Sequence, residues 1–162
     1  MKLTNRLLKI ANLITSRKIA DIGTDHGYIP TYLLENNKID FAVLSDVNKG
    51  PLYNAKKEIK SKNLHSKVDL RLGNGIDVLE PFEVDEIIIA GMGGILISNI
   101  LKSNIDVAKS VKKLILQPMQ AQIELRKYLL NNNFEIIDEI LVKEDFRIYE
   151  IIVAKYNENK KY

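Results

Sequence analysis

The chain has 162 residues, a formal net charge of +3 and no cysteine. Its length predicts one domain built around a single hydrophobic core. The lack of cysteine excludes disulfide bonds and thiolate metal sites, and no apolar run has the length of a membrane span or a signal peptide. We therefore expect a cytoplasmic protein without a membrane partner, whose mild positive charge is compatible with a nucleic-acid partner but does not require one.

Apolar periodicity predicts that helices and strands alternate along most of the chain. Helices are predicted over residues 3–14, 28–35, 51–62, 95–107 and 121–131, and strands over residues 18–22, 41–46, 68–72, 85–90 and 113–116. Two further strands, 134–142 and 147–156, are joined only by the short segment KEDF, so they must be antiparallel. This order predicts a Rossmann-like α/β fold, with a mostly parallel seven-stranded sheet, a C-terminal antiparallel hairpin and helices on both faces.

Polar or glycine-rich segments follow most of the predicted strands. Four of these segments are ADIGTDHG, LSDVN, LGNG and IAGMGG, and a fifth strand ends in LQPM. In open α/β sheets, ligands bind outside the carboxyl ends of the strands, where such segments meet. The sequence therefore predicts a ligand site at this edge of the sheet.

The first of these segments, ADIGTDHGYIP, has the features of a nucleotide-binding turn. Gly23 and Gly27 allow positive φ and a close approach of the backbone to a ligand, although they would also suit a tight turn without one. Asp46 ends the second strand 25 residues after Asp21, close to the spacing at which an acid binds ribose hydroxyls. An N-cap or a turn is the alternative role for Asp46 taken alone.

The segments after the third and fourth strands offer further contacts. Asn74 and Asp77 could read an adenine edge through its exocyclic amine, while Gly73 and Gly75 beside them could serve only a turn. The three glycines in residues 91–94 permit either an approach to a reacting centre or close packing of the next helix. The methionine among them suits core and ligand contact equally.

Asp25 and His26 occupy the part of the first turn where a nucleotide-binding loop usually carries a third glycine. A metal site needs more ligands, and the other histidine, His65, lies in a lysine-rich segment, so we expect no metal. A general acid or base and a structural Asp–His hydrogen bond both stay open. Tyr28 could stack on a base or cap the helix.

The pattern D-x-G-x-D-x-G indicates which type of nucleotide the first turn would bind. A dinucleotide-binding dehydrogenase would carry G-x-G-x-x-G after the first strand, and this chain lacks that motif. Asp21 and the alternate glycines are similar instead to the first motif of class I methyltransferases, which bind S-adenosylmethionine. Because that cofactor is a cation without phosphates, a carboxylate is acceptable in the turn.

Taken together, ADIGTDHGYIP, LSDVN, LGNG, IIIAGMGG and LILQPM resemble the bacterial tRNA (adenine-22-N1)-methyltransferase family, TrmK, over nearly the whole chain. The resemblance implies methyl transfer from S-adenosyl-L-methionine to N1 of adenine 22 in the D-arm region of tRNA, with S-adenosyl-L-homocysteine as the product. The predicted cofactor-binding residues are Asp21, Gly23, Thr24, Asp25, His26, Gly27, Asp46, Val47, Asn74, Gly75, Asp77, Gly91, Met92 and Gly93.

The sequence departs from the family pattern in two places. Members usually continue into a helical C-terminal region thought to grip tRNA, whereas this chain ends at Tyr162. We therefore expect a methyltransferase domain over residues 1–156, a solvated tail over residues 157–162 and no helical C-terminal region. The fourth strand is followed by Gly-Met-Gly-Gly, where many amino-directed methyltransferases carry Asn-Pro-Pro-Tyr or Asp-Pro-Pro-Tyr.

The resemblance also suggests a mechanism. Adenine N1 has its own lone pair, so alignment with the sulfonium methyl group supplies most of the catalysis. Asp25 is the candidate for stabilising the cationic product, Tyr28 for stacking on the base and His26 for positioning it. The predicted substrate-binding residues are Arg6, Arg17, Lys18, Gln117 and Arg147. Further candidate phosphate contacts, which could equally be solvated side chains, are Lys2, Lys9, Lys112, Lys113, Arg126 and Lys127.

Other functions stay open at this point. A class I methyltransferase acting on another RNA, a small molecule or a protein would share every cofactor residue. A non-catalytic S-adenosylmethionine-binding module would share them too. Salt-sensitive binding to bulk tRNA would separate an RNA enzyme from the other methyltransferases. We expect a monomer with tRNA as its partner.

Overall fold

A computed structural model describes residues 2–159, so the last three residues of the predicted tail lie outside the described part. The described strands are β1 (Lys18–Ile22), β2 (Phe41–Asp46), β3 (Val68–Leu72), β4 (Glu86–Met92), β5 (Lys113–Pro118), β6 (Phe134–Glu144) and β7 (Arg147–Tyr156). The α-helices are α1 (Asn5–Asn12), α2 (Tyr28–Glu35), α3 (Lys49–Ser61), α4 (Gly94–Ser103), α5 (Ile105–Ser110) and α6 (Gln122–Asn131). Short 3₁₀ helices at His65–Lys67 and Gly75–Val78 flank β3.

The seven strands form one sheet in the order β3-β2-β1-β4-β5-β7-β6. Strands β1 to β5 are parallel, and β7 is antiparallel to both β5 and β6. The predicted Rossmann-like sheet with its antiparallel hairpin is therefore confirmed. The chain moves outward from β1 through β2 to β3 and then returns to β4 on the other side of β1, which opens a crevice at the carboxyl end of β1.

Each face of the sheet is covered by its own layer of helices. Ile19 of β1 packs into the core formed with α1, α2 and α3, whereas Ala20 and Ile22 face the core formed with α4, α5 and α6. Because the central strands are buried on both faces, they read as continuous apolar runs in the sequence. No α-helix among the described residues is long and apolar enough to cross a membrane.

One predicted helix is wrong in its extent. The sequence suggests a continuous helix over residues 95–107, but the structure has α4 and α5, which meet at Asn104. The Asn104 side chain accepts a hydrogen bond from the Val107 backbone N–H at 3.4 Å and so caps α5. Asparagine competes with the helical backbone for hydrogen bonds, which favours a cap over a helix interior.

The ends of β4 and β5 also differ from the prediction. Strand β4 continues to Met92 and β5 to Pro118, and their pairing shifts register between Ala90 and Met92. Gly91 stands at this irregularity with φ of +84°, a conformation that glycine adopts without steric cost. The glycine-rich segment is thus partly an extension of the sheet.

Candidate functional site

The carboxyl ends of the first four strands surround a cleft composed of two adjoining hollows. The first hollow, of about 350 Å³, lies against the ends of β2 and β3 and one face of α4. The second hollow, of about 510 Å³, lies between the turn after β1, the end of β4 and helix α1. Gly23, Asp46 and Met92 line both hollows, so the two form one continuous cleft.

The turn after β1 is tied to the neighbouring strand by its backbone. The N–H groups of Gly23 and Thr24 both donate to the carbonyl oxygen of Ser45 in β2, at 2.9 and 3.0 Å. Gly23 has φ of +72°, and a β-carbon there would overlap Met92 Cε. The positive φ favours glycine at this position, and its backbone lines the cleft.

Asp21 is a buried acid at the base of this turn, with 5% of its surface exposed. Burial raises the pKa of the Asp21 carboxyl to about 7, against the lowering effect of the hydrogen bond from Thr24 Oγ1 at 2.9 Å. The neighbouring carboxylates of Asp25 and Asp46 raise it further. A cation in the cleft would favour the ionised form of Asp21.

Asp25, His26 and Tyr28 form the mouth of the second hollow. Asp25 has φ of +56°, a left-handed conformation that aspartate tolerates better than most residues, and 73% of its side chain is exposed. The rings of His26 and Tyr28 are stacked, with centroids 5.0 Å apart and an interplanar angle of 15°. His26 Nε2 lies 3.8 Å from Asp25 Oδ1, so the three side chains form one exposed group.

Asp46 connects the ends of β2 and β3 beside the first hollow. Its Oδ1 accepts from the backbone N–H of Asn48 at 3.0 Å, and its carbonyl oxygen accepts from Gly73 N at 3.0 Å. Val47 and Asn74 line the hollow on either side of this connection. Asp46 therefore presents a carboxylate, Asn74 an amide and Val47 an apolar surface to the same space.

Arg6 reaches the second hollow from α1. Its Nη1 donates to Oε1 of Gln117 at 2.6 Å, and Gln117 is fully buried at the end of β5. The Arg6 guanidinium also lies over the ring of Tyr149, 5.4 Å from its centroid. These contacts fix the guanidinium at the cleft wall.

The cleft is acidic. Among the described residues that line it, Asp21, Asp25 and Asp46 are the acids, and Arg6 is the one arginine or lysine. Within residues 2–159, no three histidine, aspartate or glutamate side chains are grouped as metal ligands. Carboxylates at this density repel polyphosphates and attract a cationic nucleoside.

A family model described as a methyltransferase domain matches residues 3–152. The tRNA (adenine(22)-N(1))-methyltransferase of Bacillus subtilis is 37% identical over 156 residues, which are 96% of this chain and 66% of that protein. The chain belongs to the TrmK family. The chain thus spans about two thirds of the length of this curated relative.

Two solved TrmK structures share the fold closely. The crystal structure of the B. subtilis m1A22 tRNA methyltransferase TrmK superposes with a TM-score of 0.91 at 37% identity, covering 96% of this chain and 67% of that one. TrmK of M. capricolum, solved with S-adenosyl-homocysteine, gives a TM-score of 0.87 at 32% identity, covering 99% of this chain and 73% of that one. The family predicted from the sequence motifs is confirmed.

Most of the predicted TrmK cofactor residues line the cleft. These are Asp21, Gly23, Thr24, Asp25, His26, Asp46, Val47, Asn74, Gly75, Gly91 and Met92, together with Tyr28 and Arg6 from the other predicted sets. Gly27, Asp77 and Gly93 do not line it. A β-carbon on Gly27 would lie 3.1 Å from Leu44 Cδ2, so this glycine serves the packing of α2 against β2 and α3.

Several of the predicted substrate-binding residues lie outside the cleft. Arg17 and Lys18 stand at the amino end of β1, on the sheet edge opposite the cleft, where Arg17 pairs with Asp40 at 2.7 Å. Gln117 and Arg147 do not line the cleft, although Gln117 contacts it through Arg6. Among the candidate phosphate contacts, Lys113 Nζ donates to the Leu13 carbonyl oxygen at 2.6 Å and is 18% exposed.

Helix α4 forms one wall of the first hollow, and its residues were not predicted from the sequence. Its lining residues are Leu96, Asn99, Ile100 and Ser103. Their spacing of three and four residues marks one face of a helix, so periodicity together with the position after the fourth strand would have indicated them. Ser45 of β2 and Met119 after β5 were missed for lack of any such pattern.

Proposed function

We propose that this chain is an S-adenosyl-L-methionine-dependent methyltransferase that acts on N1 of adenine 22 in tRNA. The observation that carries the proposal is the group of three carboxylates, Asp21, Asp25 and Asp46, around a glycine turn at the sheet's switch point. S-adenosyl-L-methionine supplies the methyl group from a sulfonium centre and also bears an ammonium group. An acidic cleft suits both charges, whereas the pyrophosphate of a dinucleotide would be repelled.

The two hollows fit the two halves of this cofactor. In the first hollow, the Asp46 carboxylate can accept hydrogen bonds from both ribose hydroxyls, and Asn74 can pair with the adenine edge. Leu96 and Ile100 of α4 supply apolar surface for the base. In the second hollow, the Gly23 backbone and the Asp21 carboxylate lie where the methionine part would bind.

Asp25, His26 and Tyr28 then lie on the side of the second hollow where the substrate adenine would bind. Methylation of N1 leaves a positive charge on the adenine, and the Asp25 carboxylate stabilises that charge as it develops. The stacked rings of His26 and Tyr28 offer an aromatic surface for an adenine that has left its stack in the tRNA. No side chain has to remove a proton from N1, because the nucleophile is a lone pair.

The same proposal assigns residues 1–156 to one methyltransferase domain. Arg147 lies over the ring of Tyr149, 5.1 Å from its centroid, on the hairpin next to Arg6. This exposed guanidinium is the best placed of the predicted substrate residues outside the cleft for contact with an RNA backbone.

The test is methyl transfer from labelled S-adenosyl-L-methionine to unmodified bulk tRNA, followed by digestion and identification of the labelled nucleoside. Label in 1-methyladenosine would support the proposal. Label in another nucleoside would place the chain among methyltransferases with a different RNA target. Cofactor binding without any transfer to tRNA would reject tRNA as the substrate of this chain.

A further inference from the structure

Phe146 is a fully exposed phenylalanine at the tip of the hairpin formed by β6 and β7. Its relative exposure of 104% is the highest among the large apolar residues that the structure describes. Glu144 pairs with Arg147, so Asp145 and Phe146 alone form the turn. Turns favour small or polar residues, and an exposed phenylalanine ring adds nothing to the core. A single exposed apolar residue is ordinary on a protein surface, so what distinguishes Phe146 is its position.

The hairpin tip belongs to an arm that extends past the last residue pair between β5 and β7. Strand β7 pairs with β5 only as far as Ile152, opposite Leu116. Residues 147–151 pair with β6 and with no other strand within residues 2–159. Five residues of antiparallel strand span about 17 Å. This β6–β7 arm (residues 140–151) ends on the same side of the sheet as the cleft, because β7 begins beside the carboxyl end of β5.

Helix α1 supports the β6–β7 arm and connects it to the second hollow. The Arg6 backbone N–H donates to Glu144 Oε1 at 2.9 Å, and the Arg6 guanidinium lies 5.4 Å from the centroid of the Tyr149 ring. The Arg147 guanidinium contacts the same ring at 5.1 Å. Such cation–π contacts stabilise the arm at its junction with α1. Arg6 lines the second hollow, and Phe146 stands three residues from Tyr149, which is about 10 Å along a strand.

We propose that Phe146 inserts into the tRNA stack at the place that the target adenine leaves, and that Arg147 binds the adjoining phosphate. This inference rests on the proposed function, in which the adenine leaves its stack to reach the second hollow. An extruded base leaves a gap between its two neighbours, and apolar side chains such as phenylalanine insert between bases in this way. The ring replaces stacking that the neighbours have lost, so it favours the extruded state. Phe146 is a positioning residue, because it does not touch the reacting atoms.

The charges around Phe146 fit an RNA better than an apolar protein surface. Asp145 and Arg147 flank the ring and are both exposed, whereas the core of a protein–protein interface is depleted of charged residues. A base stacks on one flat ring and requires no continuous apolar patch. The carboxylates of the cleft repel phosphates, so the RNA backbone has to be bound outside it, where Arg147 lies.

The test measures methyl transfer to an unmodified tRNA transcript with adenine 22 by the wild type, Phe146→Ala and Phe146→Trp. We expect Phe146→Ala to lower kcat/KM by about 5- to 100-fold, the range of one base–aromatic stacking contact. Phe146→Trp keeps an aromatic face and should stay within about threefold of the wild type. Affinity for S-adenosyl-L-methionine should be the same in all three, because Phe146 does not line the cleft. An equal loss of kcat/KM in both variants would overturn the inference.

Ile148→Ala is the matched control. Its side chain is another exposed apolar group on the β6–β7 arm, with a relative exposure of 67%, but it lies outside the turn. It should leave kcat/KM within about twofold of the wild type. A loss as large as that in Phe146→Ala would contradict a role specific to the tip. Self-association of the wild type that both alanine variants abolish would instead assign the arm to an interface between copies of this chain.

A second substrate separates insertion into the stack from general RNA binding. A tRNA transcript with an abasic nucleotide at position 22 already contains the gap, so Phe146→Ala should bind it about 5- to 100-fold more weakly than the wild type does. Arg147→Gln should weaken the binding of both transcripts and lower the slope of log K against log salt concentration by about one. Unchanged affinity of Phe146→Ala for the abasic transcript would refute the insertion. If the wild type bound the cofactor but methylated no tRNA, the proposed function itself would fail, and this inference with it.

Discussion

The Thr24 hydroxyl donates a hydrogen bond to Asp21 Oδ2 at 2.9 Å inside the turn that follows β1. This bond favours the ionised carboxylate, yet burial outweighs it and raises the pKa of Asp21 to about 7. Asp21 is therefore protonated in a large fraction of molecules at neutral pH. The charge of this one buried group connects the stability of the turn to the binding of a cation.

The first prediction concerns stability. The folded state holds the Asp21 proton more tightly than the unfolded state, so its contribution to the free energy of unfolding is complete below about pH 4 and is lost as pH rises through about 7. Asp21→Asn stays neutral and can still accept from Thr24. We expect its free energy of unfolding, relative to wild type, to increase over this range by on the order of 4 kcal/mol at most. Urea unfolding at several pH values measures the difference, and a pH-independent difference would contradict it.

The second prediction concerns cofactor affinity. A cationic ligand beside Asp21 requires the ionised carboxylate, so binding below the pKa of about 7 must release a proton. We expect the affinity for S-adenosyl-L-methionine to fall by up to about tenfold per pH unit as pH drops below about 7. Calorimetry in buffers of different ionisation enthalpy would show the released proton. Asp21→Asn should flatten this dependence, and an equally steep dependence in that variant would assign it to another group.

The third prediction concerns the shape of the turn. In Gly23→Ala the new β-carbon overlaps Met92 Cε and the residue keeps a φ of +72°. We expect a loss of about 1–3 kcal/mol in the free energy of unfolding and a weaker affinity for S-adenosyl-L-methionine. Gly50→Ala is the control, since its β-carbon meets no atom within 4 Å, and a helical glycine replaced by alanine should stabilise by about 0.5–1 kcal/mol. Equal effects of the two substitutions would contradict a turn that depends on the left-handed backbone of Gly23.

The fourth prediction concerns catalysis. Because Asp25 lies at the exposed mouth of the cleft, Asp25→Ala should lower kcat by about 10- to 100-fold while changing cofactor affinity much less. Asp25→Asn keeps the size of the side chain and should lose as much rate, since the negative charge is the active feature. Steady-state kinetics with tRNA, together with calorimetry, separates the two effects. Matching losses of kcat and cofactor affinity would make Asp25 a cofactor ligand instead.

The sequence was most informative where local pattern determines position. Asp21 and Asp46 lie at the carboxyl ends of their strands and Asn74 follows β3. Parallel strands bring their carboxyl ends to one edge, so the meeting of these residues in the cleft was predictable. The same rule places Arg17 and Lys18 at the opposite edge, because Arg17 precedes β1 and Lys18 is its first residue. The break between α4 and α5 at Asn104 was harder to predict from the sequence. The free energies of an asparagine as a helix cap and within a helix are similar, so the pattern alone does not decide between them.

Contacts between distant segments could not be read from the sequence. Arg6 and Gln117 are 111 positions apart, and only the tertiary packing that holds α1 against α2 and β6 brings their side chains to 2.6 Å. Arginine near a chain's start and glutamine in LQPM carry no local signal of this pair. Such tertiary polar pairs depend on the closed fold rather than on any period in the sequence.

Methylation at adenine 22 is tested by two tRNA transcripts that differ only at position 22, one with adenine and one with guanine. Each is incubated with the chain and S-adenosyl-L-methionine, digested and analysed by mass spectrometry. We expect 1-methyladenosine in the adenine transcript and none in the guanine transcript. Equal methylation of both, or no methylation of either by a chain that binds the cofactor, would contradict it.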